Sequence, residues 1–122
     1  MTEQQGAGGL DFEALRSAIE QSDAGSLASF YAEDAEVHTI NRRTPPSSPE
    51  VLRGKEAIAE YFENVCGRDM KHRVEREVVG KDRIAFNEVC EYPDGIKVLA
   101  AQMLDLRDGK IVRQVNVEAW DE

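Results

Sequence analysis

Four strand-length runs of alternating polar and apolar residues occupy most of the second half of this chain, and short glycine-bearing turns separate them. The runs are 72–79, 84–92, 96–107 and 110–120, divided by Gly80-Lys81-Asp82, Pro93-Asp94-Gly95 and Asp108-Gly109. Asp-Gly between alternating runs is a hairpin signal, because both residues tolerate the positive φ that a tight hairpin turn demands. Four runs joined this closely predict an antiparallel meander. A meander with one apolar face needs a second layer to cover it.

The first half supplies that layer. Asp11 reads as a helix N-cap, with Leu10 and Leu15 at the spacing of a hydrophobic staple. Phe12, Leu15 and Ile19 then recur at helical intervals and predict a helix to about Gln21. Ser22-Asp23-Ala24-Gly25 breaks it. Leu27, Phe30 and Tyr31 predict a short second helix ending at Glu33-Asp34, and Glu36 to Ile40 predicts a first strand. The segment 41–50 contains Thr-Pro-Pro-Ser-Ser-Pro. Proline removes a donor and disfavours helix before it, so this is an irregular loop, read either as a plain connector or as a cover for a cavity mouth. After Gly54, the residues Ile58, Tyr61, Phe62 and Val65 share one helical face, and Gly67 stands where a C-terminal glycine belongs. The fold class that follows is α+β: a cone-shaped, curved antiparallel sheet wrapped around three helices from the first half and open at one end.

Length and charge narrow the function. The 122 residues predict a single domain, 10–122, behind a Gly-rich polar tail, 1–9, that is expected to be disordered. A net charge of −9 repels phosphate backbones, so nucleic acid is not an expected partner. No apolar run approaches the ~20 residues of a membrane helix, and the N-terminus lacks the basic start and apolar stretch of a secretory signal. The expected location is the cytoplasm, with Cys66 and Cys90 as free thiols. His38 and His72 lack zinc-ligand spacing, and there is no phosphate loop or dinucleotide fingerprint, so neither a metal nor a cofactor is expected.

Three polar residues interrupt the strand pattern. Glu88 interrupts Ile84, Phe86, Cys90 and Tyr92; Gln102 interrupts Val98, Ala100, Leu104 and Leu106; Asn116 lies beside the last valine row. Strand side chains alternate faces, so each interruption points where its apolar neighbours point. A buried polar group is costly without a partner, and therefore marks either a structural network or a ligand cavity. Glu88 is the leading acid/base candidate, since desolvation among Phe86, Cys90 and Tyr92 raises a carboxyl pKa toward neutrality. The competing readings are an ion pair with an arginine or an outward-facing residue. His72, on a face with Val74 and Val78, is expected at the cavity rim as an auxiliary group. His38 faces away from Val37 and Thr39. Each histidine also has a surface or structural reading. Gln102 and Asn116 either orient a ligand oxygen or satisfy each other. Trp120, Tyr61, Phe62, Phe30 and Tyr31 read as core and cavity wall rather than a cofactor site.

The segments Asp-Ala-Gly-Ser-Leu at 23–27, Phe-Tyr-Ala-Glu-Asp-Ala-Glu-Val-His at 30–38, Arg-Gly-Lys-Glu-Ala-Ile-Ala-Glu-Tyr-Phe at 53–62 and Leu-Arg-Asp-Gly-Lys-Ile-Val at 106–112 carry a resemblance. The chain resembles the nuclear transport factor 2-like superfamily, in particular its SnoaL-like polyketide cyclase and ketosteroid isomerase branches, from roughly Phe12 to Trp120. The resemblance implies that Phe86, Glu88, Cys90 and Tyr92 face inward, together with Gln102, Leu104, Gln114, Asn116 and Glu118. It adds Thr39, Tyr61 and Trp120 to the expected binding surface. It also departs from the isomerase pattern, whose three polar groups fall on Ala18, Thr39 and Gln102. An alanine cannot donate and a threonine is no base near neutral pH, so the isomerase mechanism is not expected.

On the last strand, Ile111, Val115, Val117 and Ala119 form the more apolar face, yet the resemblance turns Gln114, Asn116 and Glu118 inward. Both hold if the apolar face packs on a second subunit, so a homodimer through the sheet is expected. Three functions remain open, and the fold hosts all of them. One is cofactor-independent proton transfer on an apolar carbonyl compound, with Glu88 as acid/base and His72 assisting. The others are non-catalytic binding of an apolar small molecule and a dimeric protein-interaction scaffold.

Overall fold

Short-range signals set the helices. In the computed structural model, which describes residues 9–121, Asp11 accepts a hydrogen bond from the Ala14 amide at 3.2 Å and opens α1 (Phe12–Glu20). Leu10 and Leu15, the staple pair, are both buried. Asp23 caps α2 (Ala24–Ser29) in the same way, through the Ser26 amide. α3 (Lys55–Cys66) follows Gly54, whose φ of 91° is the left-handed backbone that glycine supplies most easily. The expected tail, except for Gly9, lies outside the described residues. No helix among the described residues is long and apolar enough to cross a membrane.

Six strands complete the described chain: β1 (Tyr31–Ile40), β2 (Glu50–Arg53), β3 (Lys71–Val79), β4 (Arg83–Glu91), β5 (Lys97–Arg107) and β6 (Lys110–Trp120). They form one sheet in the order β2-β1-β6-β5-β4-β3. The meander β3 to β6 is as expected, and the β5–β6 turn has positive φ at both Asp108 and Gly109. The sheet is antiparallel except where β1 lies parallel to β6.

Two elements depart from expectation. Tyr31 does not sit on the second helix; α2 ends at Ser29, and Tyr31 starts β1 as a buried residue opposite Ile111. β2 was not expected. Its four residues are too short to show a period, and they become a strand only by pairing with β1, Leu52 against Val37.

The core fills the narrow part of the cone. α1 contributes Phe12, Leu15, Ala18 and Ile19, α3 contributes Ile58, and the sheet answers with Ile84, Phe86, Leu104 and Ile111. Phe12 meets Phe86 edge-on with centroids 5.9 Å apart. α1 also seals the exposed edge of β3. Arg16 Nη1 donates to the Val74 carbonyl at 2.8 Å, and the Val74 amide donates to Glu20 Oε2 at 2.9 Å. Arg16 further pairs with Glu77 at 2.6 Å, just past a bulge where Arg76 has a φ of 59°. Helix side chains thus take up backbone groups that an edge strand leaves unpaired.

The conflict on the last strand resolves as the resemblance implied. Gln114 and Asn116 turn inward and are buried, while Val117, Leu99 and Met103 are 50%, 44% and 48% exposed on the outer face. Ile111 is the exception to the expected apolar outer row. A register shift after Asp105 returns it to the inner face, where it is fully buried.

Leu15→Ala is expected to cost ~2–5 kcal/mol of stability, because it removes a buried core side chain, and Asp11→Ala about 1 kcal/mol through the lost cap. Urea unfolding followed by far-ultraviolet circular dichroism checks both, and equal costs would contradict the assignment of Leu15 to the core.

Candidate functional site

Beyond the packed core the sheet and α3 diverge and leave a cavity of about 480 Å³, within the range of small-molecule sites. Ten of the residues singled out from the sequence line it: Thr39, Tyr61, His72, Phe86, Glu88, Gln102, Gln114, Asn116, Glu118 and Trp120. Leu15, Ile19, Leu27, Ile58 and Phe62 make its deeper wall apolar.

A hydrogen-bonded ladder runs across the inner face, with one side chain from each of five adjacent strands. Tyr31 Oη on β1 donates to Gln114 Oε1 on β6. Gln114 Nε2 donates to Gln102 Oε1 on β5 at 3.0 Å, and also to Asn116 Oδ1 at 2.8 Å. Gln102 Nε2 donates to Glu88 Oε1 on β4 at 2.6 Å. His72 Nδ1 on β3 lies 2.9 Å from Glu88 Oε2. The Cys90 thiol donates to the same oxygen at 3.3 Å.

The direction of the ladder follows from its charged end. An ionised carboxylate only accepts, so Gln102 must present its amide nitrogen to Glu88 and its oxygen to Gln114. Gln114 then offers its oxygen to Tyr31. Asn116, its oxygen already taken, keeps its nitrogen as a donor, 3.5 Å from Thr39 Oγ1 and directed along the cavity lining.

Two expectations are corrected here. Glu88 does not have a raised pKa. Burial pushes it upward, but the donors His72, Gln102 and Cys90 together hold it below the ordinary glutamate value. Its basic partner is a histidine, not an arginine. His72 is not at the rim: its side chain is 4% exposed and packs against the carboxylate. Tyr31 and Cys90 move the opposite way. Burial, reinforced by the Glu88 charge, raises the Tyr31 and Cys90 pKa values, so both remain neutral donors. Burial also raises Tyr61.

The mouth is built from the remaining residues. Asn41 Nδ2 donates to Glu118 Oε1 at 3.1 Å, which ties the proline-rich loop across the end of β6. The Arg42 guanidinium lies 5.3 Å from the centre of the Trp120 ring. Arg43 from the same loop and Glu50 at the start of β2 also line the cavity, the placement that the cover reading expects. Tyr61 stands 37% exposed on α3. His38 faces away from the cavity, as expected, and pairs with Glu36 at 3.0 Å. Tyr31 reads from the sequence as core and cavity wall, but on a helix, so its donor role on β1 escaped that reading. The joint role of His72, Glu88 and Cys90 escaped it too. His72 and Cys90 face each other only through the β3–β4 register, and their donor atoms and that of Glu88 lie within 4.8 Å of one another.

A family profile described as a SnoaL-like domain matches residues 12–114. An NTF2-like protein of unknown function from Mesorhizobium loti superposes with a TM-score of 0.77 at 16% identity, over 88% of this chain and 87% of that one. A candidate ketosteroid isomerase from Kribbella flavida gives 0.73 at 17% identity, over 91% and 75%. An LEH-like epoxide hydrolase from M. tuberculosis gives 0.66 at 13% identity, over 88% and 79%. At these identities the likeness establishes the fold. No curated protein matches the chain.

Tyr31→Phe removes the donor at the far end of the ladder and leaves the buried Gln114 oxygen without it. A loss of about 1–3 kcal/mol is expected in chemical denaturation; an unchanged midpoint would show that the ladder does not bear on stability at that end.

Proposed function

The chain belongs to the SnoaL-like domain family, and we propose that its cavity binds a small, largely apolar carbonyl compound and moves a proton on it without a cofactor. The observation that carries this reading is the His72–Glu88 pair, 2.9 Å apart on the wall of a cavity that joins an apolar deeper surface to amide donors. Glu88 accepts from Nδ1–H and fixes the tautomer, which leaves the Nε2 lone pair of His72 as the base. The carboxylate then stabilises the imidazolium that forms. His72 is therefore the proton carrier and Glu88 the positioning group, the reverse of the order first expected. Asn116 Nδ2, assisted by Gln102, is placed to hydrogen-bond the substrate oxygen as charge builds on it. The description of one structural neighbour as a candidate isomerase and another as an epoxide hydrolase supports acid–base chemistry in such a cone. A second reading, ligand binding without turnover, is favoured by Ala18 and Thr39, which stand where the isomerase branch carries reactive groups.

We also propose that the apolar outer face around Leu99, Met103 and Val117 seats a second copy of the chain.

A thermal-shift screen of ketones, steroids and polyketide-like aromatics identifies ligands, and deuterium exchange next to the carbonyl of each hit in heavy water reads proton transfer. His72→Ala is expected to slow exchange at least ~10²-fold and to leave binding largely intact. Binding of hits with no exchange would establish the non-catalytic reading; exchange unaffected by His72→Ala would refute the assigned base. Sedimentation of the wild type is expected to give a dimer and of Val117→Arg a monomer, and a monomeric wild type removes the second proposal.

A further inference from the structure

The same wall brings three potential metal-ligand atoms, already hydrogen-bonded to one another, within 4.8 Å. His72 Nδ1, Glu88 Oε2 and Cys90 Sγ form a closed triangle with sides of 2.9, 3.3 and 3.3 Å. We propose that this triangle is a binding site for a thiophilic divalent cation of the zinc type, with the three side chains as ligands and a fourth position open to the cavity.

Chemistry and geometry both argue for it. An imidazole nitrogen, a carboxylate oxygen and a sulfur are zinc ligands, and three protein ligands with one open position is the arrangement of reactive zinc sites. With bonds of about 2.0–2.3 Å, a tetrahedral ion spreads its ligand atoms roughly 3.3–3.7 Å apart. The triangle needs to open by only a few tenths of an ångström. The scaffold is rigid: His72 and Cys90 are direct cross-strand partners, and Glu88 precedes Cys90 by two residues on the same face. The other Glu88 oxygen is held by Gln102 Nε2 at 2.6 Å, the outer hydrogen bond that orients a metal carboxylate. Charge also balances. Binding expels the Cys90 thiol proton to solvent, so a dication with one thiolate and one carboxylate is neutral overall, as a largely apolar cavity requires.

The proposal rests on the placement of the three atoms and not on the proton-transfer reading, with which it competes. An ion on Nδ1 displaces the bond to Glu88 and moves the imidazole proton to Nε2, so the loaded protein has no free base. Occupancy would act as a switch on the cavity.

The test uses the full chain, dialysed against chelator and titrated with Co²⁺. A sulfur-to-cobalt charge-transfer band saturating at one equivalent, with the visible intensity of a tetrahedral ion, is expected, and Zn²⁺ is expected to erase it. Cys90→Ala and His72→Ala should each abolish the band, with folding checked by circular dichroism. Cys66→Ser should keep it, because Cys66 lines the cavity outside the triangle. Gln102→Leu should weaken binding ~10–100-fold through loss of the outer hydrogen bond. Absence of the band in the wild type, or its persistence in Cys90→Ala, overturns the site and leaves a hydrogen-bonded triad only. Either result is read without substrate, so it stands apart from the outcome of the exchange assay.

Discussion

One buried negative charge organises this molecule. Because ionised Glu88 can only accept, it dictates which way the amides of Gln102 and Gln114 point, and through them the direction in which Tyr31 donates. Five strands that make ordinary backbone ladders on their edges are thereby also linked side chain to side chain across the inner face. The carboxylate itself is tolerable there because His72, Gln102 and Cys90 all point hydrogen at it. Remove those donors and the remaining group is a buried, unpaired charge, among the costliest defects a core can hold.

β6 is polar where it faces the cavity and apolar where it faces out, the reverse of the usual one-sided sheet. Gln114 and Asn116 are buried while Val117 is half exposed. This inversion makes sense when the interior is partly a hollow to be furnished with hydrogen-bonding groups and the outer face is a surface to be covered. The α1 side chains Arg16 and Glu20 contribute to the same division, since they occupy the free edge of β3 and leave the broad face as the open apolar surface.

Local periodicity made α1, α3 and the three hairpins legible, because caps, staple and Asp-Gly turns act within a few residues. β2 and the start of β1 were not, because Leu52 and Tyr31 are strand residues only by virtue of partners far along the chain. The polar interruptions at Glu88, Gln102 and Asn116 pointed to the site, and a resemblance at the level of short motifs supplied its inward orientation. What alternation could not convey was company. Burial alone argued for a raised Glu88 pKa, and the count of donors around it decided otherwise. The pairing of His72 with Cys90 likewise lives in the β3–β4 register and in no linear spacing.

The parallel pairing of β1 with β6 has a consequence for biosynthesis. β1 has two neighbours in the sheet, the four-residue β2 and the strand translated last of the six. While the ribosome is still making the meander, β1 keeps one long edge bare, and the apolar side chains of Tyr31, Ala35 and Val37 have no finished wall to rest on. Closure of so distant a contact is slow compared with hairpin formation. A nascent chain of this design is therefore exposed to premature self-association until β6 emerges and covers that edge.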